Sequence, residues 1–343
     1  MNSISTYAFI NAKVRAMRSN LLSAAFYKSM INAHDQLELY HLLTQSRFQK
    51  RIEALGYHSA AEIEQQLFME EVDQLLMIEK YSREPIQSFI KGLLERYDAE
   101  KLKNVLRCWY HKGNVQFHPI QEKIIYNMPV DAILKAPDLA TISALLLQTP
   151  FSKSVLSALP VYQTHQTLFP VELAIDRDVF RRLMDVSQQL NRKDNQIVRR
   201  LLGIEIDIKN LGWIGRFKTY YQLPSAEIIT HLLPQGYRLS IDHIRKVLAG
   251  GSLMEVLMEV LKDSRLELKA DMDDVVALDT MEHFLYEILL EEAKHAFSQF
   301  PFSVGAILGY FYLMRIETRN IRTLFQAKGY GLTAEQTDAL LVY

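Results

Sequence analysis

The sequence reads Ile208-Lys209-Asn210-Leu211 near its middle, and a similar stretch stands about one third of the chain away on either side. The earlier stretch is Leu102-Lys103-Asn104-Val105 and the later one is Thr318-Arg319-Asn320-Ile321. Each has a basic residue, an asparagine and an aliphatic residue in that order, and the asparagines are 106 and 110 residues apart. Eight residues after each asparagine stands a lysine, which is Lys112, Lys218 or Lys328. This period in a chain of 343 residues indicates one unit used three times, as in a scaffold with a pseudo-threefold shape.

Helix-type spacing runs through most of the chain. Glycine is sparse at 13 residues, and strong helix formers fill long stretches in which apolar residues recur at helical intervals. Asp138 before Leu139, and Thr149-Pro150 before Phe151, are typical of helix starts. No stretch alternates as a strand does. The sequence therefore predicts an all-α fold of three similar helical domains, bounded by loops as residues 1–118, 119–225 and 226–343.

Charge and motif content argue against a nucleic-acid partner and against chemistry at a cofactor. Lysine plus arginine number 39 and aspartate plus glutamate 40, so the net charge of −1 supplies no basic face for nucleic acid. A phosphate-cradling glycine-rich loop and a Gly-x-Ser-x-Gly elbow are both missing from the sequence. We expect no nucleotide binding, no cofactor, no metal and no enzymatic activity from the chain itself.

The single cysteine and the apolar stretches indicate a protein of a reducing compartment. Cys108 stands beside Trp109 in an apolar segment, which predicts a buried and inert thiol. Residues 1–20 lack the apolar core of an export signal. Residues 295–314 carry no charged side chain, but their dense apolar part is too short to span a bilayer. We expect a buried helix there, with Pro301 in its first turn, in a soluble chain that is free to dock onto a membrane complex.

The three asparagines are predicted to be packing residues. An amide inside a core helix is costly unless it is hydrogen-bonded, most simply to the backbone of a neighbouring segment. Three residues before the second and third asparagines stand the acids Asp207 and Glu317, on the same helix face. The first copy differs, because Lys101 occupies that position.

Several of these motifs resemble the C subunit of V/A-type ATPases, a relative of the d subunit of eukaryotic vacuolar ATPases. The resemblance covers almost the whole chain and is most specific near its C-terminal end. Its N-terminal part is a helix with Tyr7, Arg15 and Leu21-Leu22. Its middle part is the motif Asp207, Asn210, Leu211, Arg216 and Lys218, followed by a turn with Leu233-Pro234 and Gly236. Its last part is Pro301-Phe302-Ser303, Gly309-Tyr310, Glu317, Asn320-Ile321-Arg322 and Lys328-Gly329.

The resemblance implies a funnel of three helical domains that has no catalytic site of its own. It implies a peripheral subunit on the cytoplasmic end of the membrane proteolipid ring, holding the foot of the central stalk. In that position the subunit would pass torque between the ring and the soluble ATPase motor, for ATP-driven ion transport or ion-driven ATP synthesis. The implied partners are therefore the central-stalk subunits and the proteolipid ring.

Two other classes of protein remain open from the residues alone. Glu38 with His41, and Glu292 with His295, have the Glu-x-x-His spacing of ferritin-like di-metal carboxylate bundles. Such a site needs further glutamates within one bundle, and these two motifs lie about 250 residues apart. A generic helical-repeat interaction scaffold is the other alternative, although its units would be shorter than the period found here.

Overall fold

The computed structural model describes residues 3–53, 59–112, 119–217, 225–249, 256, 259 and 274–343. The regular structure in these ranges is helical, and none of the residues within them forms a strand, so the predicted all-α class is confirmed. The helices are α1 (Ser3–Arg18), α2 (Ala24–Ile31), α3 (Gln36–Leu43), α4 (Gln49–Glu53), α5 (Ala60–Lys80), α6 (Ile86–Tyr110), α7 (Val130–Leu134), α8 (Leu139–Leu145), α9 (Phe151–His165), α10 (Phe169–Ser187), α11 (Arg192–Arg216), α12 (Ser225–His231), α13 (Ile241–Leu248), α14 (Asp274–Ser298), α15 (Val304–Gly329) and α16 (Ala334–Asp338).

Polar caps fix where several helices begin. The Asp138 carboxylate accepts a hydrogen bond from the Thr141 N–H at 2.8 Å, which starts α8 at the predicted residue. The hydroxyl of Thr149 accepts one from the Phe151 N–H at 3.3 Å at the start of α9. Both groups satisfy backbone donors that a helix leaves without an internal partner.

The predicted start of α15 is wrong by about one turn. Pro301 lies outside the helix, which begins at Val304, and residues 299–303 separate it from α14. The reason is again a cap: the Asp194 carboxylate accepts from the Val304 N–H at 2.9 Å. The Ser303 hydroxyl accepts from the Gly305 N–H at 3.2 Å. Residues 295–314 are therefore the end of one helix and the beginning of another.

The chain separates into two compact units. Unit 1 contains Met1–Asn191 and Leu324–Leu332, and unit 2 contains Arg192–Thr323 and Thr333–Tyr343. The three domains bounded at residues 118 and 225 remain a prediction, since both boundaries fall at or beside ranges outside the described residues.

In unit 1, α6 is the central helix. It packs against α5 and α10, and α10 in turn packs against α9. The α6–α10 approach is close, because a Cβ added at Gly92 would lie 2.9 Å from the Leu183 side chain. The core along these helices is fully buried and includes Leu102, Val105, Ile142, Phe151, Val155 and Ile175. Burial of about 25 cal/mol per Å² of apolar surface stabilises this arrangement.

The short C-terminal segment of unit 1 is tied to its N-terminal helices. The Lys328 ammonium donates to the carbonyl of Ile31 at 2.7 Å. The side-chain amide of Gln36 donates to the carbonyl of Phe325 at 2.8 Å. These bonds satisfy carbonyls at helix ends that have no internal helical partner.

Unit 2 is built around α11, α14 and α15. Helix α11 packs against α14, and α15 lies close to α14 at two glycines. A Cβ at Gly305 would lie 2.7 Å from the carbonyl oxygen of Ala296, and one at Gly309 would lie 2.6 Å from that of Ala293. Only hydrogen atoms fit in these spaces, so the two glycines allow the helices their contact.

Candidate functional site

The second asparagine of the repeat holds a single residue of a later segment by both of its backbone groups. The Asn210 amide nitrogen donates to the carbonyl of Leu233 at 2.9 Å, and its oxygen accepts from the N–H of Leu233 at 2.8 Å. Asn210 is 2% exposed, so these bonds replace the water that its amide would otherwise bind. We call this arrangement an amide clamp.

The third asparagine forms a second amide clamp. The Asn320 nitrogen donates to the carbonyl of Val342 at 2.6 Å, and its oxygen accepts from the N–H of Val342 at 3.1 Å. Both asparagines lie on a long helix, and each binds a residue 22 or 23 positions later in the chain. The clamps thus fasten an irregular segment to the long helix before it.

One turn before the Asn210 clamp, Asp207 holds a second part of the same segment. One oxygen of its carboxylate accepts from the N–H groups of Tyr237 at 3.0 Å and Arg238 at 2.6 Å, and we call this an acid clamp. Burial raises the pKa of Asp207 from 3.8 to about 7, although the backbone donors and the nearby Arg238 act in the opposite direction. A Cβ at Gly236 would collide with the other carboxylate oxygen, so a side chain at that position is excluded.

Unit 1 contains a matching acid clamp on α6. The Asp98 carboxylate accepts from the N–H groups of Ile125 at 2.9 Å and Tyr126 at 3.1 Å. Burial raises its pKa to about 6, against the effect of these two donors and of Lys101. One turn further, the Lys101 ammonium donates to the carbonyls of Gln121 at 3.3 Å and Glu122 at 2.7 Å. This lysine clamp is 1% exposed and lies where unit 2 has its amide clamp.

The structure therefore gives the first copy of the repeat a register that differs from the predicted one. Asp98, Asp207 and Glu317 are the buried acids, and they are 109 and 110 residues apart. Lys101 corresponds to Asn210 and Asn320 in this register. Asn104 lies one turn later, is only half-buried, and accepts a hydrogen bond from the side chain of Arg107 at 3.1 Å.

The other repeat residues do not converge on one site. Lys112 is exposed just after α6, and Lys328 binds the carbonyl of Ile31 within unit 1. The third acid, Glu317, is buried on α15. Lys218 and the side chain of Arg216 lie outside the described residues.

A buried ion-pair ladder between α6 and α10 was not predicted from the sequence. The Lys103 ammonium contacts Glu100 and Asp176, each at 2.9 Å, and these carboxylates raise its pKa in spite of burial. The Arg107 guanidinium donates to both oxygens of Glu172, at 2.7 and 2.8 Å. The partners are 65 to 73 residues apart, and the detectable signal was the run of charged residues at buried positions of α6.

The Glu-x-x-His pairs are engaged in ordinary local contacts. Glu38 accepts from the N–H of His34 at 2.7 Å, and Glu292 is paired with Arg200 at 3.4 Å. His295 is hydrogen-bonded to Gln299 at 2.9 Å. No group of three or more histidine, cysteine, aspartate or glutamate side chains within the described ranges is arranged to hold a metal ion.

Two further sequence predictions concern the thiol and the membrane. Cys108 is buried, and this burial raises the pKa of its thiol, as expected of an inert packing residue. Among the helices described, none combines the length and apolar character that a membrane span requires.

Taken together, the described side chains define a helical scaffold in which buried charged and amide groups fasten loops and helices to one another. A family model for the ATP synthase (C/AC39) subunit matches residues 10–340. The chain belongs to this family of ATP synthase subunits.

Curated relatives match nearly the full length of the chain at low identity. A protein of Methanococcoides burtonii is 25% identical, over 97% of this chain and 93% of its own length. One of Haloferax volcanii is also 25% identical, over 97% of both chains. One of Methanocaldococcus jannaschii is 22% identical, over 99% of this chain and 87% of its own length. Each of the three is named as the C subunit of an A-type ATP synthase.

Proposed function

We propose that this chain is the non-catalytic coupling subunit of a rotary ATP synthase, placed between the membrane proteolipid ring and the central stalk. It would lie on the cytoplasmic face of the membrane as a peripheral subunit, and would bind neither nucleotide nor nucleic acid. The observation that carries the proposal is the family match over residues 10–340, together with relatives of almost equal length.

The clamps support a mechanical role. A subunit that transmits torque must resist deformation, and loops are ordinarily the softest part of a helical protein. Here the segments that follow α6, α11 and α15 are each fastened to the preceding long helix by buried hydrogen bonds. Because a buried bond is lost only together with the exposure or orphaning of both partners, each clamp stiffens the unit that contains it.

The repeated spacing of the clamps supports three related domains around a pseudo-threefold axis, forming a funnel. The positions 98, 207 and 317 divide the chain into nearly equal parts. Each position begins the same sequence of elements: a buried acid, a clamp residue one turn later, and a fastened segment. The boundaries of residues 1–118, 119–225 and 226–343 place one such set in or across each proposed domain.

Affinity capture tests the proposed assembly. A tagged copy is recovered from mildly detergent-solubilised membranes of cells that express it, and co-purifying proteins are identified by mass spectrometry. We expect both the soluble ATPase subunits and the proteolipid. Recovery of neither would refute the proposal, and recovery of one alone would refute the bridging role.

A functional measurement separates coupling from catalysis. Membranes lacking the subunit should retain ATP hydrolysis by the soluble motor but lose ATP-driven ion transport, and added purified protein should restore transport. Loss of hydrolysis by the isolated motor on removal of this chain would contradict a non-catalytic role.

A further inference from the structure

The N-terminal end of unit 1 carries charge of one sign. The first 34 residues of the chain contain no aspartate or glutamate. Their basic residues are Lys13, Arg15, Arg18 and Lys28. All four are exposed or half-exposed on α1 and α2. An acid-free stretch of this length is unusual in a chain whose net charge is −1, so the opposite charge is concentrated elsewhere.

Two aromatic rings lie among cations where α1 meets the turn after α5. The ring of Phe9 is 5.2 Å from that of Tyr81, and these side chains belong to residues that are 61% and 44% exposed. The ammonium groups of Lys13 and Lys80 lie 5.0 and 5.7 Å from the centre of the Tyr81 ring. Arg83 is exposed two residues further along. We call these five residues the N-terminal basic face.

The two acids nearest in sequence are occupied by local partners. Glu79 accepts a hydrogen bond from Gln87 at 2.8 Å and lies 3.6 Å from the ammonium of Lys91. Glu84 accepts from the N–H of Ser88 at 3.2 Å. Neither pairs with the lysines beside Tyr81 in these contacts, so the cationic character of the face is retained.

We propose that the N-terminal basic face binds the surface of an anionic lipid bilayer. Lysines that extend over exposed aromatic rings match an interface in which the ring enters the headgroup region and the ammonium meets phosphate. Lysine is a mobile point charge and suits a diffuse anionic surface, whereas recognition of a fixed carboxylate favours the planar fork of arginine. The inference rests on the proposed function only because that function places the chain beside a membrane.

Vesicle sedimentation with the purified full-length chain tests the inference. The probes are phosphatidylcholine vesicles with and without phosphatidylglycerol, at low and at raised salt. We expect binding to the anionic vesicles that weakens as salt rises, and no binding to the neutral ones. Absence of binding at low salt, or equal binding to both vesicle types, would overturn the proposal.

Charge reversal locates the binding surface. The double variant Lys13→Glu/Lys80→Glu should bind anionic vesicles at least roughly 25-fold more weakly, since each lysine near such a surface contributes about fivefold. The matched control is Lys135→Glu/Lys153→Glu, which reverses two exposed lysines elsewhere in unit 1. Equal weakening in the two double variants would show a general charge effect and refute this site. Phe9→Ser should weaken binding while leaving its salt dependence unchanged, and unchanged salt-resistant affinity would remove the aromatic part of the proposal.

The same variants distinguish this inference from the proposed function. Tagged Lys13→Glu/Lys80→Glu should still recover the ATPase subunits and the proteolipid, with a melting temperature near that of the wild type. If it folds but loses those partners, and the wild type does not bind anionic vesicles, the face is a protein interface and the lipid proposal is wrong.

Discussion

Unit 1 and unit 2 fasten similar segments to a long helix with the same acid but with different second residues. In unit 1, Asp98 is followed one turn later by Lys101, which donates to two carbonyls. In unit 2, Asp207 is followed by Asn210, which both donates to and accepts from Leu233. A lysine offers donors alone, whereas an amide satisfies both backbone groups of one residue. The lysine clamp therefore depends on a buried charge, and the amide clamp does not.

The largest expected effect follows from removing that charge. Lys101→Met keeps most of the buried volume but leaves the carbonyls of Gln121 and Glu122 without their donor. We expect a loss of about 2–4 kcal/mol in the free energy of unfolding, measured by urea denaturation. Lys135→Met, at an exposed position, is the control and should change stability by less than about 0.5 kcal/mol. Equal stability of the two variants would mean that Lys101 does not act as a clamp.

The amide clamp should be slightly less sensitive. Asn210→Leu leaves the N–H and the carbonyl of Leu233 unpaired, at a cost of about 1–3 kcal/mol. Asn320→Leu should cost a similar amount through Val342. An unchanged melting temperature in either variant would show that water replaces the amide.

The acid clamps predict a pH dependence of stability. The pKa of Asp98 is about 6 and that of Asp207 about 7, both above the ordinary 3.8, so the folded chain holds protons that the unfolded chain has released. The free energy of unfolding should therefore fall as pH rises from roughly 4 to 7, by at most about 1.4 kcal/mol per pH unit for each group. Denaturation across this range checks the direction.

Asp207→Asn isolates one of these groups, since it retains an oxygen acceptor but carries no titrating proton. Its stability should vary less steeply than that of the wild type up to about pH 7. An identical slope would show that Asp207 is ionised throughout and that its backbone donors outweigh its burial.

The smallest effect is expected at Asn104. Its amide is half-buried and contacts the side chain of Arg107. Asn104→Leu should change the free energy of unfolding by less than about 0.5 kcal/mol. A loss as large as that of Asn210→Leu would restore the register in which the three asparagines are equivalent.

The sequence predicted the helical class, several helix starts and the two bonded asparagines, because periodicity and caps are local signals. It misplaced the first copy because Lys101 replaced the amide while Asn104, one turn away, imitated it. The even spacing of Asp98, Asp207 and Glu317 was the available correction. The ladder from Lys103 to Asp176 could not be predicted, since pairing across 73 residues depends on how α10 packs against α6.

The burial of Lys103 also makes it a natural reporter of folding. Amine-reactive reagents modify only a deprotonated and accessible ammonium group, and Lys103 is 4% exposed with its pKa raised by two carboxylates. Exposed lysines of the same chain, such as Lys153, would be modified at once. The rate at which Lys103 acquires a covalent label, read by mass spectrometry, would therefore measure how often unit 1 opens between α6 and α10, with no added probe.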